Sequence, residues 1–347
     1  MSPRRRSGYR TGDDALDERI RELITEAGGS ADDDLIFEMV VSALRMGREE
    51  VDRGELKIAS AALKELRYAF HVFAPYQGTR KVAIFGSART VADDPGYRCT
   101  QRFAGAIAEE GWMVLTGAGP GIMAAGIEGA GADRSFGVNI VLPFEAEPAP
   151  VIAGDPKLIN FRYFFTRKLT FVKEADAFVL LPGGFGTMDE AFELLTLVQT
   201  GRAEPAPIVL LEPEGSSYWE TWESFVREEL LSNGMISEGD LCLVRITDDI
   251  GAAVEEITSF YATYHSLRYV GGRLVLRLHR EVGDDELASL NTDFADIVSS
   301  GRIERVGAHD REIADRDAVE LPRLAFRFDQ ERFDRLRQLI DALNRAP

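Results

Sequence analysis

Two kinds of chemistry meet in Pro182-Gly183-Gly184-Phe185-Gly186-Thr187-Met188-Asp189-Glu190. The stretch follows the apolar run Ala177–Leu181 and opens the apolar-periodic segment Ala191-Phe192-Glu193-Leu194-Leu195, so the pattern predicts a strand that turns through glycines into a helix. Such a turn presents bare backbone N–H groups and the positive end of a helix dipole, an arrangement that binds phosphate. Glu190 stands about one helical turn past the loop, where the ester or sugar end of a phosphate compound would lie. An acid beside an anion site opposes binding, so its presence points to a reaction.

Two further glycine turns follow apolar runs. Phe85-Gly86-Ser87-Ala88-Arg89 offers the backbone of Gly86 and the hydroxyl of Ser87 to a ligand, and serves equally well as an ordinary tight connection. Thr116-Gly117-Ala118-Gly119-Pro120-Gly121-Ile122-Met123 resembles a dinucleotide fingerprint but has Ile122 where the third glycine belongs. The next apolar run, Val138 to Pro143, ends in no acid to hold the ribose of a nicotinamide cofactor. Close backbone approach to a phosphate or ribose at Gly117, Gly119 and Gly121 is the expectation that stays. Arg167 and Lys168 precede the Ala177 run. Their neighbours Phe164, Phe165, Leu169 and Phe171 predict a largely buried helix, in which an arginine needs an anionic partner.

The elements that must position these residues fall into segments. Residues 1–12 read as an unstructured basic tail, with no hydrophobic stretch to make Arg4-Arg5-Arg6 part of a secretory signal. Residues 13–78 read as helical: one helix spans Leu35–Glu50, and Leu56, Ala59, Leu63, Leu66, Phe70 and Phe73 recur at three- and four-residue steps. From residue 79 to 268, strands at Val82–Phe85, Met113–Leu115, Gly137–Leu142, Ala177–Leu181, Ile208–Leu211 and Leu243–Ile246 alternate with helices. The helices are expected at Tyr97–Glu110, Ile122–Ala130, Arg162–Glu174, Thr187–Thr200, Trp219–Leu231 and Ile250–Tyr264. Continuous apolar strands separated by helices predict an α/β domain, a doubly wound parallel sheet whose ligands sit at the carboxyl ends of the strands. Residues 273–347 change pattern again and predict a small α+β domain of unassigned role, with a helix at Asp284–Ser300 and strands at Arg273–His279, Ile303–Gly307 and Leu321–Phe328.

Composition narrows the partners. The chain has 347 residues, with 40 Lys and Arg against 58 Asp and Glu, a net charge of −18 that repels nucleic acid. No apolar run reaches the roughly 20 residues of a spanning helix, so no membrane role is expected and a cytoplasmic location is the default. Cys99 and Cys242 are too few for a disulfide framework, and His71, His265, His279 and His309 lack metal-ligand spacing, so no metal is expected. Walker A and G-x-S-x-G patterns are missing from the sequence as well.

Arg167-Lys168 followed by Pro182–Glu190 is similar to the R-K … P-G-G-x-G-T-x-x-E signature of the LONELY GUY (LOG) family, long labelled lysine decarboxylase-like. The resemblance spans about Lys81 to Tyr264. The flanking helical segment and the region after Gly271 resemble longer bacterial members. It implies a Rossmann-like fold, a homodimer or higher oligomer, no cofactor, and phosphoribohydrolase activity on nucleoside 5′-monophosphates of the AMP type or on N6-modified adenine nucleotides such as cytokinin riboside monophosphates. It also implies that Arg167 and Glu190 form the catalytic pair. Gly183, Gly184, Gly186 and Thr187 would hold the 5′-phosphate, with Gly86, Ser87, Gly117, Gly119, Gly121 and Lys168 also on the substrate. Cytokinin-activating members often carry a histidine two residues before the arginine. Phe165 stands there in this chain, which counts against a cytokinin and not against the hydrolysis.

The resemblance and the residues agree on chemistry. Cleavage of an N-glycosidic bond passes through an oxocarbenium-like state that a carboxylate stabilises, and Glu190 is placed to do so and to accept a proton from water. Arg167 is expected to hold that carboxylate ionised by lowering its pKa. The alternative is a non-catalytic carrier or sensor of a phosphorylated ligand such as molybdenum cofactor, using the same loop. Pyridoxal-dependent decarboxylation needs a Schiff-base lysine, and Lys168 is the only lysine among these residues.

Overall fold

The computed structural model describes residues 9–141 and 148–345. The chain divides into two compact units at Arg67/Tyr68. The first holds α1 (Asp14–Glu26), α2 (Asp33–Arg48) and the opening turns of α3 (Arg53–Phe73). The Asp13 carboxylate caps α1 by accepting from the N–H groups of Ala15 and Leu16, and Ile20 and Ile24 meet Phe37 and Val41 of α2. Asp33 and Asp34 form the first turn of α2 instead of preceding it, as acids at a helix N-terminus favour. The expected basic tail falls mostly on residues 1–8, outside the described residues. Thr11 donates its N–H and hydroxyl to the Asp17 carboxylate at 3.0 and 2.6 Å.

The second unit is built around a parallel sheet. Its elements are β1 (Lys81–Phe85), α4 (Pro95–Glu109), β2 (Met113–Thr116), α5 (Ile122–Ala130), β3 (Ser135–Ile140), β4 (Leu158–Phe161), α6 (Phe164–Glu174), β5 (Ala177–Leu180), α7 (Phe185–Gln199), β6 (Ile208–Leu211), α8 (Tyr218–Phe225), β7 (Arg245–Thr247) and α9 (Ile250–Ser259). Among the described residues the sheet has seven strands in the order β4-β3-β2-β1-β5-β6-β7. Residues of β1, β2, β5 and β6 are buried throughout, because alternate side chains meet helices on opposite faces. Ala83, Phe85, Leu115, Phe178 and Leu210 pack toward α6, α7 and the end of α3, where Phe73 stacks on Phe136 with centroids 4.4 Å apart. Val82, Ile84, Val114, Val179 and Val209 pack toward Phe103 and Ile107 of α4 and Ile257 of α9. This is the doubly wound α/β fold that the strand and helix grammar predicts. No helix among the described residues is long and apolar enough to cross a membrane.

A separate antiparallel sheet follows, in the order β10 (Val298–Val306), β11 (Arg323–Phe328), β9 (Arg273–Leu278) and β8 (Tyr264–Val270). It is accompanied by α10 (Asp284–Asp293), α11 (Asp310–Asp315) and α12 (Phe333–Arg345). Several expected boundaries move. Leu142, at the end of an expected strand, lies outside the described residues. The strand β4 is absent from the sequence reading because Asn160 interrupts its apolar run, and among the described residues β3 alone pairs with it. The expected strand at Leu243–Ile246 is delayed to β7, since residues 238–243 form a 3-10 turn. The helix expected to reach Tyr264 stops at Ser259, and Tyr264 begins β8. Gly271 and Gly272, with φ of +61° and +75°, form the two-residue turn of the β8–β9 hairpin, in which Val270 pairs with Arg273. The helix expected at Asp284–Ser300 ends at Asp293, and β10 begins at Val298.

The two sheets join at Arg80. Its guanidinium donates to Asp176 Oδ1 at 2.6 Å and to the His265 carbonyl at 3.0 Å, and lies 3.7 Å from the Tyr261 ring centroid. Asp176 also accepts the Lys81 N–H at 2.9 Å, and its carbonyl accepts the Tyr261 hydroxyl at 2.7 Å. Asp176→Asn, which removes the charge from this latch, is expected to lower unfolding free energy by about 1–3 kcal/mol. Urea denaturation measures it, and an unchanged midpoint would show that the latch contributes nothing.

Candidate active site

The central strands β2, β1 and β5 are neighbours, and each is followed by one of the glycine turns. The chain runs outward from β1 through β2 and β3 to β4, then crosses back to β5 on the other side of β1. That reversal opens a crevice at the carboxyl ends of β1 and β5. Backbone hydrogen bonds draw the turns together. Leu181 donates to the Phe85 carbonyl at 2.8 Å, Ser87 to the Pro182 carbonyl at 3.2 Å, and Ile122 to the Ser87 carbonyl at 3.1 Å.

The glycines permit this closeness. A Cβ on Gly86 would lie 2.7 Å from Ile122 Cγ2, and one on Gly183 would overlap Thr187 and stand 3.0 Å from the Ser87 nitrogen. Gly121 has a φ of +70°, and a Cβ there would strike the Ser87 carbonyl. Gly119 lies under the Met123 side chain, and Gly117 under the Arg167 guanidinium. Ala118, between them, is fully buried with a φ of +58°, a strained backbone of the kind that gathers at functional sites. A Cβ on Gly184 or Gly186 would meet nothing within 4 Å, so these two face open space.

The helix α7 begins at Phe185, two residues earlier than its apolar periodicity predicts, and Gly184 is its N-cap. The N–H groups of its first turn therefore lie within the loop, without carbonyl partners from a preceding turn. Thr187 is buried beside Gly183, whereas Phe185 is 97% exposed.

Arg167 is 8% exposed on α6; its Nε donates to the Val138 carbonyl at 2.8 Å and its guanidinium lies 5.3 Å from the Phe171 centroid. The expectation of a largely buried α6 is corrected. Thr166, Arg167, Thr170 and Phe171 face the protein, while Phe164, Phe165 and Leu169 are about half exposed. Lys168 Nζ is taken up by Asp189 Oδ2 at 2.7 Å and Glu193 Oε2 at 3.0 Å, tying α6 to α7. Burial works against its charge, but the two carboxylates prevail and raise its pKa.

Glu190 is half-buried in a small crevice with Phe85, Lys168, Phe171, Phe178 and Glu193. Burial among these rings pushes its carboxyl up to about 7, against the opposing pull of Arg167. The expectation that Arg167 leaves the carboxyl below its ordinary range is thus corrected: desolvation is the larger effect. A group poised near neutral pH takes up and releases protons readily, which suits a general base. The structure therefore gathers Glu190, Arg167, Thr187, Gly86, Ser87 and the glycines of all three turns along one sheet edge.

Sequence reasoning missed Tyr218, whose hydroxyl donates to the Gly183 carbonyl at 2.5 Å, and buried Glu212, which organises the start of α8. In the sequence, Trp219, Trp222 and Phe225 read as core and no motif marks the tyrosine; the two tryptophans are buried, whereas Phe225 is about half exposed.

In the unfolded chain the Glu190 carboxyl returns to its ordinary value of 4.5. Between that pH and about 7 the folded protein holds the extra proton, so this group's contribution to stability falls as pH rises through the window. Glu190→Gln is expected to melt above the wild type at pH 8 and alongside it at pH 4. Parallel melting curves at both pH values would contradict the burial of this carboxylate.

Residues 121–257 match the family described as "Possible lysine decarboxylase". The cytokinin riboside 5′-monophosphate phosphoribohydrolase of Rhodococcoides fascians is 32% identical over 149 residues, covering 42% of this chain and 73% of that protein. The Arabidopsis thaliana enzyme LOG1, of the same description, is 39% identical over 71 residues, covering 20% of this chain and 32% of its own. Rice LOG, described likewise, is 33% identical over 98 residues, covering 28% and 37%. The matches thus span only about a third of these two plant relatives. The solved molybdenum cofactor binding protein of Rippkaea orientalis aligns with 52% of this chain and 96% of its own, at 20% identity and a TM-score of 0.36. With its motif residues gathered at one sheet edge and a bacterial relative matched over most of its length, the chain belongs to the LOG family.

Proposed function

We propose that the protein hydrolyses the N-glycosidic bond of nucleoside 5′-monophosphates of the AMP type, releasing free base and ribose 5-phosphate. The observation that carries this reading is a carboxylate shifted to about 7 beside the open, glycine-lined N-terminus of α7. The 5′-phosphate lies against the first-turn N–H groups and the Thr187 hydroxyl, which places C1′ of the ribose toward Glu190. Water attacks C1′ as the bond to the base nitrogen breaks, the bonding electrons leave with the base, Glu190 takes a proton from the water, and that proton passes to the departing nitrogen to give the neutral base and restore the carboxylate. The same carboxylate, when ionised, stabilises positive charge developing on the sugar. Arg167 opposes the desolvation of Glu190 and keeps part of it ionised at neutral pH. Membership of the family supports a phosphoribohydrolase, and Phe165, in place of the histidine of cytokinin-activating members, favours an unmodified purine nucleotide. The half-exposed Phe164, Phe165 and Leu169 together with Phe185 support a homodimer or larger oligomer.

Incubation with a panel of nucleoside 5′-monophosphates, followed by chromatography of the released base, tests the reading. Hydrolysis of AMP is expected, rising with pH through an apparent pKa of about 7 as Glu190 ionises. Glu190→Gln is expected to lose about 10²–10⁴ in rate and its dependence on that ionisation. Stoichiometric retention of an intact phosphorylated ligand, with no base released by any member of the panel, would instead identify a carrier.

A further inference from the structure

The loop carries two adjacent glycines, and a peptide between glycines has little side-chain restraint on its orientation. Its carbonyl and N–H point in opposite directions because the peptide is planar and trans. An anion site needs the N–H turned toward the ligand and the carbonyl turned away, since a carbonyl oxygen facing a phosphate repels it. We propose that Tyr218 is the positioning residue that sets this peptide: by holding the Gly183 carbonyl, it turns the Gly184 N–H toward the phosphate. The inference rests on reading the loop as a 5′-phosphate site.

The geometry is specific. The Tyr218 hydroxyl donates to the Gly183 carbonyl at 2.5 Å, and the far end of that peptide is Gly184, the N-cap of α7, beside open space. Tyr218 is itself held by β6 and α8. Its ring meets Trp219 edge-on with centroids 4.9 Å apart, and its N–H donates to Ser216 Oγ at 3.3 Å. The Ser216 hydroxyl donates to Glu212 Oε2 at 2.7 Å, and the same oxygen accepts the Trp219 N–H at 3.2 Å. Glu212 is 4% exposed and directly follows β6, and the Trp219 indole donates to the Leu211 carbonyl at 3.1 Å. The donor is therefore mounted on the strand next to β5, on a rigid element.

The test is Tyr218→Phe, which keeps the ring and removes the donor. Titration calorimetry with ribose 5-phosphate and AMP is expected to show affinity falling about tenfold or more, the scale of a hydrogen bond to a charged group. Adenosine affinity and melting temperature should stay at wild-type values, which separates aiming at phosphate from a general structural role. Ser216→Ala keeps the Tyr218 hydroxyl but removes the Ser216 hydroxyl that mounts it, and a smaller loss confined to the phosphorylated ligands is expected. It also carries the test should the Phe variant not fold. Ribose 5-phosphate binding within twofold of wild type, or an equal loss for adenosine, would overturn the proposal. A wild type that binds ribose 5-phosphate but releases no base would sink the hydrolase reading while these binding ratios still judge Tyr218. A wild type that binds neither phosphate compound would end both.

Discussion

Ser87 donates its N–H to Pro182 and accepts the N–H of Ile122 on its carbonyl, and those two backbone bonds set the spacing of the whole crevice. They are possible because β1 lies between β2 and β5, so its turn is flanked by the other two. They also demand that Gly86, Gly121 and Gly183 carry no side chain, since a methyl group at any of them would meet a neighbouring turn. A side chain on one turn would push the other two apart. The first-turn amides of α7, the clearance for Arg167 over Gly117 and the crevice around Glu190 all inherit their positions from that contact.

Within this frame the electrostatics are a contest decided by burial. Arg167 and Lys168 both favour the ionised form of Glu190, whereas Asp189 and Glu193 oppose it. The ammonium of Lys168 is occupied by those two acids, so part of its influence is spent locally. Desolvation among Phe85, Phe171 and Phe178 then exceeds the pull of Arg167. On the proposed reading, an acid held near neutrality meets the phosphate compound partly uncharged and ionises as the reaction needs it, which lessens the conflict between binding an anion and stabilising a cation.

Much of this was legible in the sequence because the relevant signals are local. Apolar runs of three to five residues named the central strands, and the glycines of Pro182–Glu190 announced a turn into a helix. Edges and long-range partners were less legible. The strand β4 has a polar Asn160 within four residues, and β8 follows a helix without an intervening proline. The direction of the Glu190 shift is not legible in sequence, where the neighbouring arginine is visible but the aromatic wall from β1, α6 and β5, which exists only after folding, is not. Phe164, Phe165 and Leu169 suggested burial by their type, yet helical geometry sends them away from the side that carries Arg167 and Phe171. Tyr218 carries no sequence signal because it lies 35 residues from the carbonyl that it holds.

The Arg80–Asp176 latch lies at the amino ends of β1 and β5, and the glycine turns lie at the carboxyl ends of the same strands. Attachment and the candidate site thus occupy opposite rims of one sheet. An accessory layer fastened at the first rim leaves the mouth of the crevice unobstructed. A change in that layer therefore reaches the glycine turns only through the length of the strands between, which act as a spacer between the two rims.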